Sequence, residues 1–221
     1  MYRYFLLLIS LSLILSSCGF DNAPKLVSPE EQNVGVERPQ PPSPDDIPGQ
    51  IEYSRKEKDR ILKLSPDSPI PKAERSSFTK LKYFPVDMKY RLSAKLEKYS
   101  TNEKIKMLTS KGTQDEYIRY GAVKFTIDNS EHSLDAFKSV SPDVDPKRLF
   151  VPFRDVTSGK ETYGSGRYLE IEEDSKGAYT IDFNLAYNPY CTYNIDYSCP
   201  IPPAQNTLKV AIKAGEKNFH E

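Results

Sequence analysis

Polar and ionisable side chains crowd the last third of this 221-residue chain, at spacings that could support acid–base, anion-binding or thiol chemistry. Arg154 and Asp155 follow the apolar run Leu149-Phe150-Val151-Pro152-Phe153, and Tyr163 and Arg167 flank a glycine-rich turn. Asp182, Asn184 and Asn188 come next, and Asn206 and Glu216 complete the set. Asp155, Asp182 and Glu216 are the carboxylates a hydrolase could use as acid and base, with Arg167 as a bidentate clamp for an anionic substrate. Each also has a structural reading. Asp155 opens Asp-Val-Thr-Ser-Gly, where its side chain can bond the backbone and Gly159 can take a positive φ, closing a tight turn. Arg167 can pair with Asp155 or Asp182 inside the fold, and Glu216 can join Arg154 or Arg167 to fix the last element. Asp182 and Asn184 fall on one face of an alternating strand and can support the irregular loop that follows, whose backbone polar groups need partners.

Cys191 and Cys199 are the thiols of the same region. In an exported domain a disulfide is the natural inference, and closing so short a loop would stabilise the fold by about 2.6 kcal/mol. A catalytic thiol would need a base to form thiolate. Metal binding is weaker still, because the chain has only two histidines, His132 and His220, and neither lies near the cysteines in sequence. No metal or cofactor is expected. Ser77-Phe78-Thr79-Lys80 fits the S-x-x-K pattern without its companion motifs. A Ser-His-Asp triad would have to rest on His132. The glycines of Thr162-Tyr163-Gly164-Ser165-Gly166-Arg167 match neither a phosphate loop nor a dinucleotide fingerprint.

Four blocks carry these residues: Phe153 to Ile171, Ile181 to Cys191, Ser198 to Asn206 and Ala211 to Glu216. Together they resemble domain-of-unknown-function family 1684, and Ser77 to Asp87 resembles that family's entry to its first strand. The resemblance implies no activity, since the family has none assigned.

The elements that must position the blocks read as strands. Met88, Tyr90, Leu92, Ala94 and Leu96 alternate with polar neighbours, as in a strand buried on one face. Further strands are predicted at Lys104–Leu108, Tyr117–Ile127, His132–Lys138, Leu149–Phe153, Arg167–Glu172, Ala178–Phe183 and Thr207–Ile212. Turn signals such as Asp128-Asn129-Ser130 and Ser175-Lys176-Gly177 separate them. About eight short strands predict an all-β domain, a single antiparallel sandwich or open barrel. One peripheral helix is predicted over Tyr53–Leu64, stopped by Ser65-Pro66.

The amino terminus reads as a targeting signal. Arg3 precedes a short apolar stretch, Tyr4 to Leu15, which falls below the ~20 residues that span a bilayer. Leu15-Ser16-Ser17-Cys18 looks like a bacterial lipobox cleaved before a lipidated Cys18, and Gly19 after it is compatible with the outer membrane. Residues 1–17 are then the signal peptide. Residues 18–50, with seven prolines, form a tether reaching about 30 Å as a coil or about 100 Å in polyproline II. Residues 51–221 form one β-rich domain, of a size that suits a single core.

Formal charge is zero, with 31 basic and 31 acidic side chains, and the one local basic excess, Arg55 to Lys63, suits a solvated helix face. Nucleic-acid binding is therefore not expected. The sequence reading is a membrane-anchored lipoprotein of the bacterial cell envelope, held through Cys18. Its polar, tyrosine-rich loops would recognise an envelope glycan, peptide or protein, seven of the fifteen tyrosines lying between Tyr163 and Tyr197. A hydrolase using Asp155, Asp182 or Glu216 with Arg167 is the alternative.

Overall fold

The computed structural model describes residues 40–174 and 176–220. The expected signal peptide and the expected lipidation of Cys18 fall outside the described residues.

Six antiparallel strands form one sheet, ordered β5-β4-β3-β2-β1-β6. They are β1 (Arg91–Leu108), β2 (Gln114–Ile127), β3 (Ser130–Ser139), β4 (Leu149–Phe153), β5 (Arg167–Ile171) and β6 (Tyr179–Asp182). An isolated bridge between Glu173 and Tyr179 brings the two edges together, so the sheet is nearly closed into a barrel. The all-β, open-barrel expectation holds. Alternation decides which face is inside: Val123, Phe125 and Ile127 of β2 meet Leu134 and Ala136 of β3, Val151 and Phe153 of β4, and Ile181 of β6 in the core.

Three expected elements differ. The two segments before and after residue 100 are one long strand, because a register shift between Lys98 and Glu103 lets β1 continue to pair with β2. Gly121 lies opposite this irregularity, and a Cβ there would sit 2.7 Å from the Glu97 carbonyl. Met88–Tyr90, expected as the start of that strand, is a 3₁₀ turn capped by Asp87. Thr207–Ile212 is no strand at all. It runs beside the residues that follow β4 through the Arg154↔Thr207 bridge with its two adjoining backbone bonds and through Val156 N–H, which donates to the Val210 carbonyl at 3.3 Å, and side chains supply further anchors.

The helix also differs. α1 spans Ile47–Leu64, six residues earlier than expected, with Asp46 as N-cap and Pro48 in the first turn. Proline is well placed there, since its missing N–H is one the helix leaves unpaired anyway. Gln50 Nε2 donates to the Pro42 carbonyl at 2.7 Å. The end of the presumed tether is therefore folded into the domain. α1 lies at the N-terminal side of the sheet, as expected, and is tied to it by Arg55, which is buried and donates to the carbonyls of Phe84 at 3.0 Å and Asn184 at 3.1 Å.

Candidate functional site

The polar block resolves into three hydrogen-bonded clusters around the C-terminal segment. In the first, Asp155 and Arg167 have fully buried side chains with Nη2 and Oδ1 3.4 Å apart. Arg167 donates to the carbonyls of Ala214, Ile212 and Glu216, the last two at 2.9 and 3.1 Å. Asp155 accepts the Ile212 N–H at 2.7 Å and the Thr157 hydroxyl at 2.9 Å. Burial pulls the guanidinium below its ordinary pKa, and Asp155 opposes that pull. The expected turn is present: Ser158 N–H donates to the Asp155 carbonyl at 3.0 Å, and Gly159 has φ of +78°.

The second cluster surrounds Asp182 and Asn184. Instead of projecting together from one strand face, they cap and occupy a 3₁₀ turn, Phe183–Leu185, in which Asp182 accepts the Asn184 N–H at 3.0 Å. Arg91 pairs with Asp182 at 2.9 Å. The Asn184 amide pairs with both backbone groups of Asp87, accepting from N–H and donating to C=O at 2.9 Å each. A side chain here completes what a strand pair would otherwise supply.

In the third cluster Glu216 is buried and accepts from Asn188 N–H at 2.9 Å, from the Tyr193 hydroxyl at 2.6 Å and from Lys58 Nζ at 2.5 Å. Neither Arg154 nor Arg167 is its side-chain partner; Arg154 instead reaches the Ser165 carbonyl at 3.4 Å. Burial, then the Glu216 charge, raises the Tyr193 phenol well above its ordinary pKa. Asn188 Nδ2 donates to the Lys217 carbonyl at 2.8 Å. Asn206 stands apart and links two strands, accepting Asp135 N–H at 2.8 Å and donating to the carbonyls of Asp135 and Pro152.

The three carboxylates thus face three different sets of partners. A shallow groove of about 600 Å³, lined among others by Leu92, Lys95, Lys124, Phe125 and Glu131, contains no residue of the block. Among the described residues, no three His, Cys, Asp or Glu side chains are grouped to hold a metal. No helix among them is long and apolar enough to cross a membrane.

The expected disulfide is not formed. Cys191 and Cys199 are free thiols, although the loop brings them side by side. Cys191 sits in a one-turn 3₁₀ segment, Tyr190–Thr192, which aims its N–H at the Cys199 sulfur, 3.2 Å away. Cys191 is half-buried, and its sulfur lies 3.8 Å from the Tyr163 hydroxyl. Hydrogen bonding from Cys199 first, then from Tyr163 and Ser110, holds the Cys191 thiol below the usual range against the pull of burial. Cys199 moves the other way, raised by the same bond and by burial.

Sequence reasoning missed Lys58, Arg55 and Asp135, whose partners are distant along the chain. Asp135 accepts from Arg119 at 2.7 Å and from the Tyr99 hydroxyl at 2.5 Å. The alternation of β3 offered a signal, since Asp135 is an acid flanked by Leu134 and Ala136 on a buried stretch.

The family model described as protein of unknown function (DUF1684) matches residues 76–217. Among solved structures, the solution NMR structure of an uncharacterized protein of Haloarcula marismortui is 39% identical. That match covers 80% of this chain and 97% of the other, with a TM-score of 0.63. No curated protein matches the chain. The family match takes in all three clusters but leaves out α1, which supplies Lys58 to Glu216.

Proposed function

The chain belongs to the DUF1684 family of proteins of unknown function, and from that premise we propose a non-hydrolytic, membrane-tethered β-domain that binds an envelope polymer through partly exposed tyrosines. The observation that supports this reading is the full burial of the Asp155 and Arg167 side chains. A carboxylate and a guanidinium whose partners are all internal brace the fold and have no surface to offer a substrate. The hydrolase alternative needs two of Asp155, Asp182 and Glu216 around one substrate, and their separate partners leave no such pairing.

Recognition then passes to the loop above the braces. Tyr163, Tyr190 and Tyr197 are partly exposed there, and Tyr190 and Tyr197 form an edge-to-face pair with centroids 5.3 Å apart. Ile195 between them is 86% exposed. Flat aromatic faces with a hydroxyl suit sugar rings, so the ligand proposed is an envelope glycan. The lipobox reading of Leu15-Ser16-Ser17-Cys18 supports a domain on the bacterial cell envelope, and Gly19 an outer-membrane location, with acyl chains on Cys18 as the proposed anchor and no metal or cofactor proposed.

Pull-down of the full chain on purified envelope glycans tests the reading, with Tyr190→Ala and Tyr197→Ala as the surface variants. Retention lost in those variants supports it; no retention of the parent chain on any glycan refutes it. Labelling with radioactive palmitate, abolished by Cys18→Ser, tests the anchor separately.

A further inference from the structure

Two thiols face one another across the 190–199 loop, and their surroundings are not alike. Cys199 is 2% exposed and fixed to the end of β1: its N–H donates to the Ser110 hydroxyl at 3.1 Å and its carbonyl accepts the Ser110 N–H at 2.8 Å. The Thr109↔Pro200 bridge and the bond from Ile201 N–H to the Leu108 carbonyl extend that anchorage. Cys191 is half-buried on the opposite limb, beside Tyr163 and within the tyrosine-rich surface. Cys191 therefore keeps part of its surface toward solvent, while Cys199 keeps almost none. A structural disulfide needs no such asymmetry. A dithiol that reacts with an outside disulfide does, because one sulfur must attack and the other must wait behind it.

We propose that Cys191 and Cys199 form a thiol–disulfide exchange site, with Cys191 as the attacking thiol and Cys199 as the resolving thiol, acting on the disulfide of a small thiol compound. Tyr163 and Ser110 carry hydroxyls that can donate to the Cys191 sulfur and so stabilise its anion. The thiolate attacks one sulfur of R–S–S–R; a Cys191–S–R bond forms, the outer S–S bond breaks, and the departing RS⁻ takes up the proton that Cys191 gave up. Cys199 then attacks the Cys191 sulfur, forming the internal disulfide and expelling the second RS⁻, which leaves as RSH with the Cys199 proton. Two electrons pass from the protein dithiol to the outside disulfide, and two RSH are released. This does not rest on glycan binding or on the lipid anchor.

The test uses the reduced full chain carrying Cys18→Ser, so that Cys191 and Cys199 are its only thiols, with oxidised glutathione as the probe. Intact-mass analysis is expected to show the internal disulfide and no lasting glutathione adduct, with two glutathiones released per chain. In the same background Cys199→Ser stops at one adduct on Cys191, whereas Cys191→Ser reacts at least about tenfold more slowly while folded. If Cys199→Ser does not fold, as judged by its unfolding transition, Cys199→Ala takes its place. Equal rates for the two single-cysteine variants, a lasting adduct on the parent pair, or an internal disulfide that excess reduced glutathione cannot open would each overturn the proposal.

Discussion

Asp155 and Arg167 together hold both backbone groups of one residue: the Asp155 carboxylate accepts the Ile212 N–H at 2.7 Å, and the Arg167 guanidinium donates to the Ile212 carbonyl at 2.9 Å. Ile212 is completely buried, yet it belongs to no strand. A buried peptide outside a ladder leaves a donor and an acceptor to be satisfied, and one ion pair supplies both. The same logic repeats where Asn184 pairs with the Asp87 backbone and where Asn206 pairs with that of Asp135. The polar block thus stands in for missing strand pairing.

Asn206 gives the first prediction. β3 and β4 share one paired position, Phe137 with Phe150, and the Asn206 amide spans the two strands beyond it. Asn206→Ala leaves the Asp135 N–H and two buried carbonyls without that partner and should cost at least about 2 kcal/mol. Urea unfolding would measure it. A cost below about 0.5 kcal/mol would mean the amide is dispensable.

Gly215 separates close approach from backbone strain. It has φ of +76°, and a Cβ there would lie 2.6 Å from the Ala186 carbonyl and 2.7 Å from that of Phe183. Gly112 has the same φ with nothing within 4 Å. Gly112→Ala should therefore cost only the left-handed penalty, about 1–2 kcal/mol, and Gly215→Ala clearly more. Equal losses in thermal unfolding would remove the steric argument for the Ala-Gly-Glu motif.

Asp59 predicts a pH dependence. Burial raises its carboxyl from 3.8 to about 6, against the Leu81 N–H that it accepts at 2.8 Å. The folded state then binds a proton more tightly than the unfolded state between about pH 4 and 6. Stability must fall as pH rises through that window and level off above it. Asp59→Asn should flatten this part of the profile, read as the difference in urea midpoint between variant and parent at each pH. An identical slope in both would assign the dependence to other groups.

Cys191 should alkylate at a lower pH than an ordinary thiol of pKa ~8.5. The groups facing it are Cys199, Tyr163 and Ser110, with the Tyr168 phenol also within electrostatic reach. In the Cys18→Ser, Cys199→Ala chain the iodoacetamide profile should move back toward the ordinary range, since the largest stabilising hydrogen bond is gone. An unmoved midpoint would assign the shift to Tyr163 and Ser110 alone.

Local signals were legible in the sequence and distant ones were not. Asp128-Asn129 marked the β2–β3 hairpin correctly, and both residues take the positive φ, 48° and 62°, that a tight hairpin turn demands. The alternation of β2 and the turn at Asp155 to Gly159 were equally plain. Period and turn chemistry, however, say nothing about partners far along the chain. Lys58 meets Glu216 across 158 positions and Asn206 meets Asp135 across 71, so neither contact had a sequence signal. The start of α1 was missed for a different reason: Pro48 was read with the prolines before it as tether, though proline is at home in a helix's first turn.

The central claim is that the polar block braces the C-terminal segment, and native-state hydrogen exchange of Arg167→Met and Asp155→Asn tests it most directly. Removing one partner of a buried pair should cost about 3–5 kcal/mol. The loss should appear as faster exchange at the amides of 208–217, Ile212 foremost, with the β2–β3 amides least affected in any sub-global opening. Unchanged protection at Ile212 in either variant, with global stability within about 0.5 kcal/mol of the parent, would contradict the account and return Asp155 and Arg167 to the list of site residues.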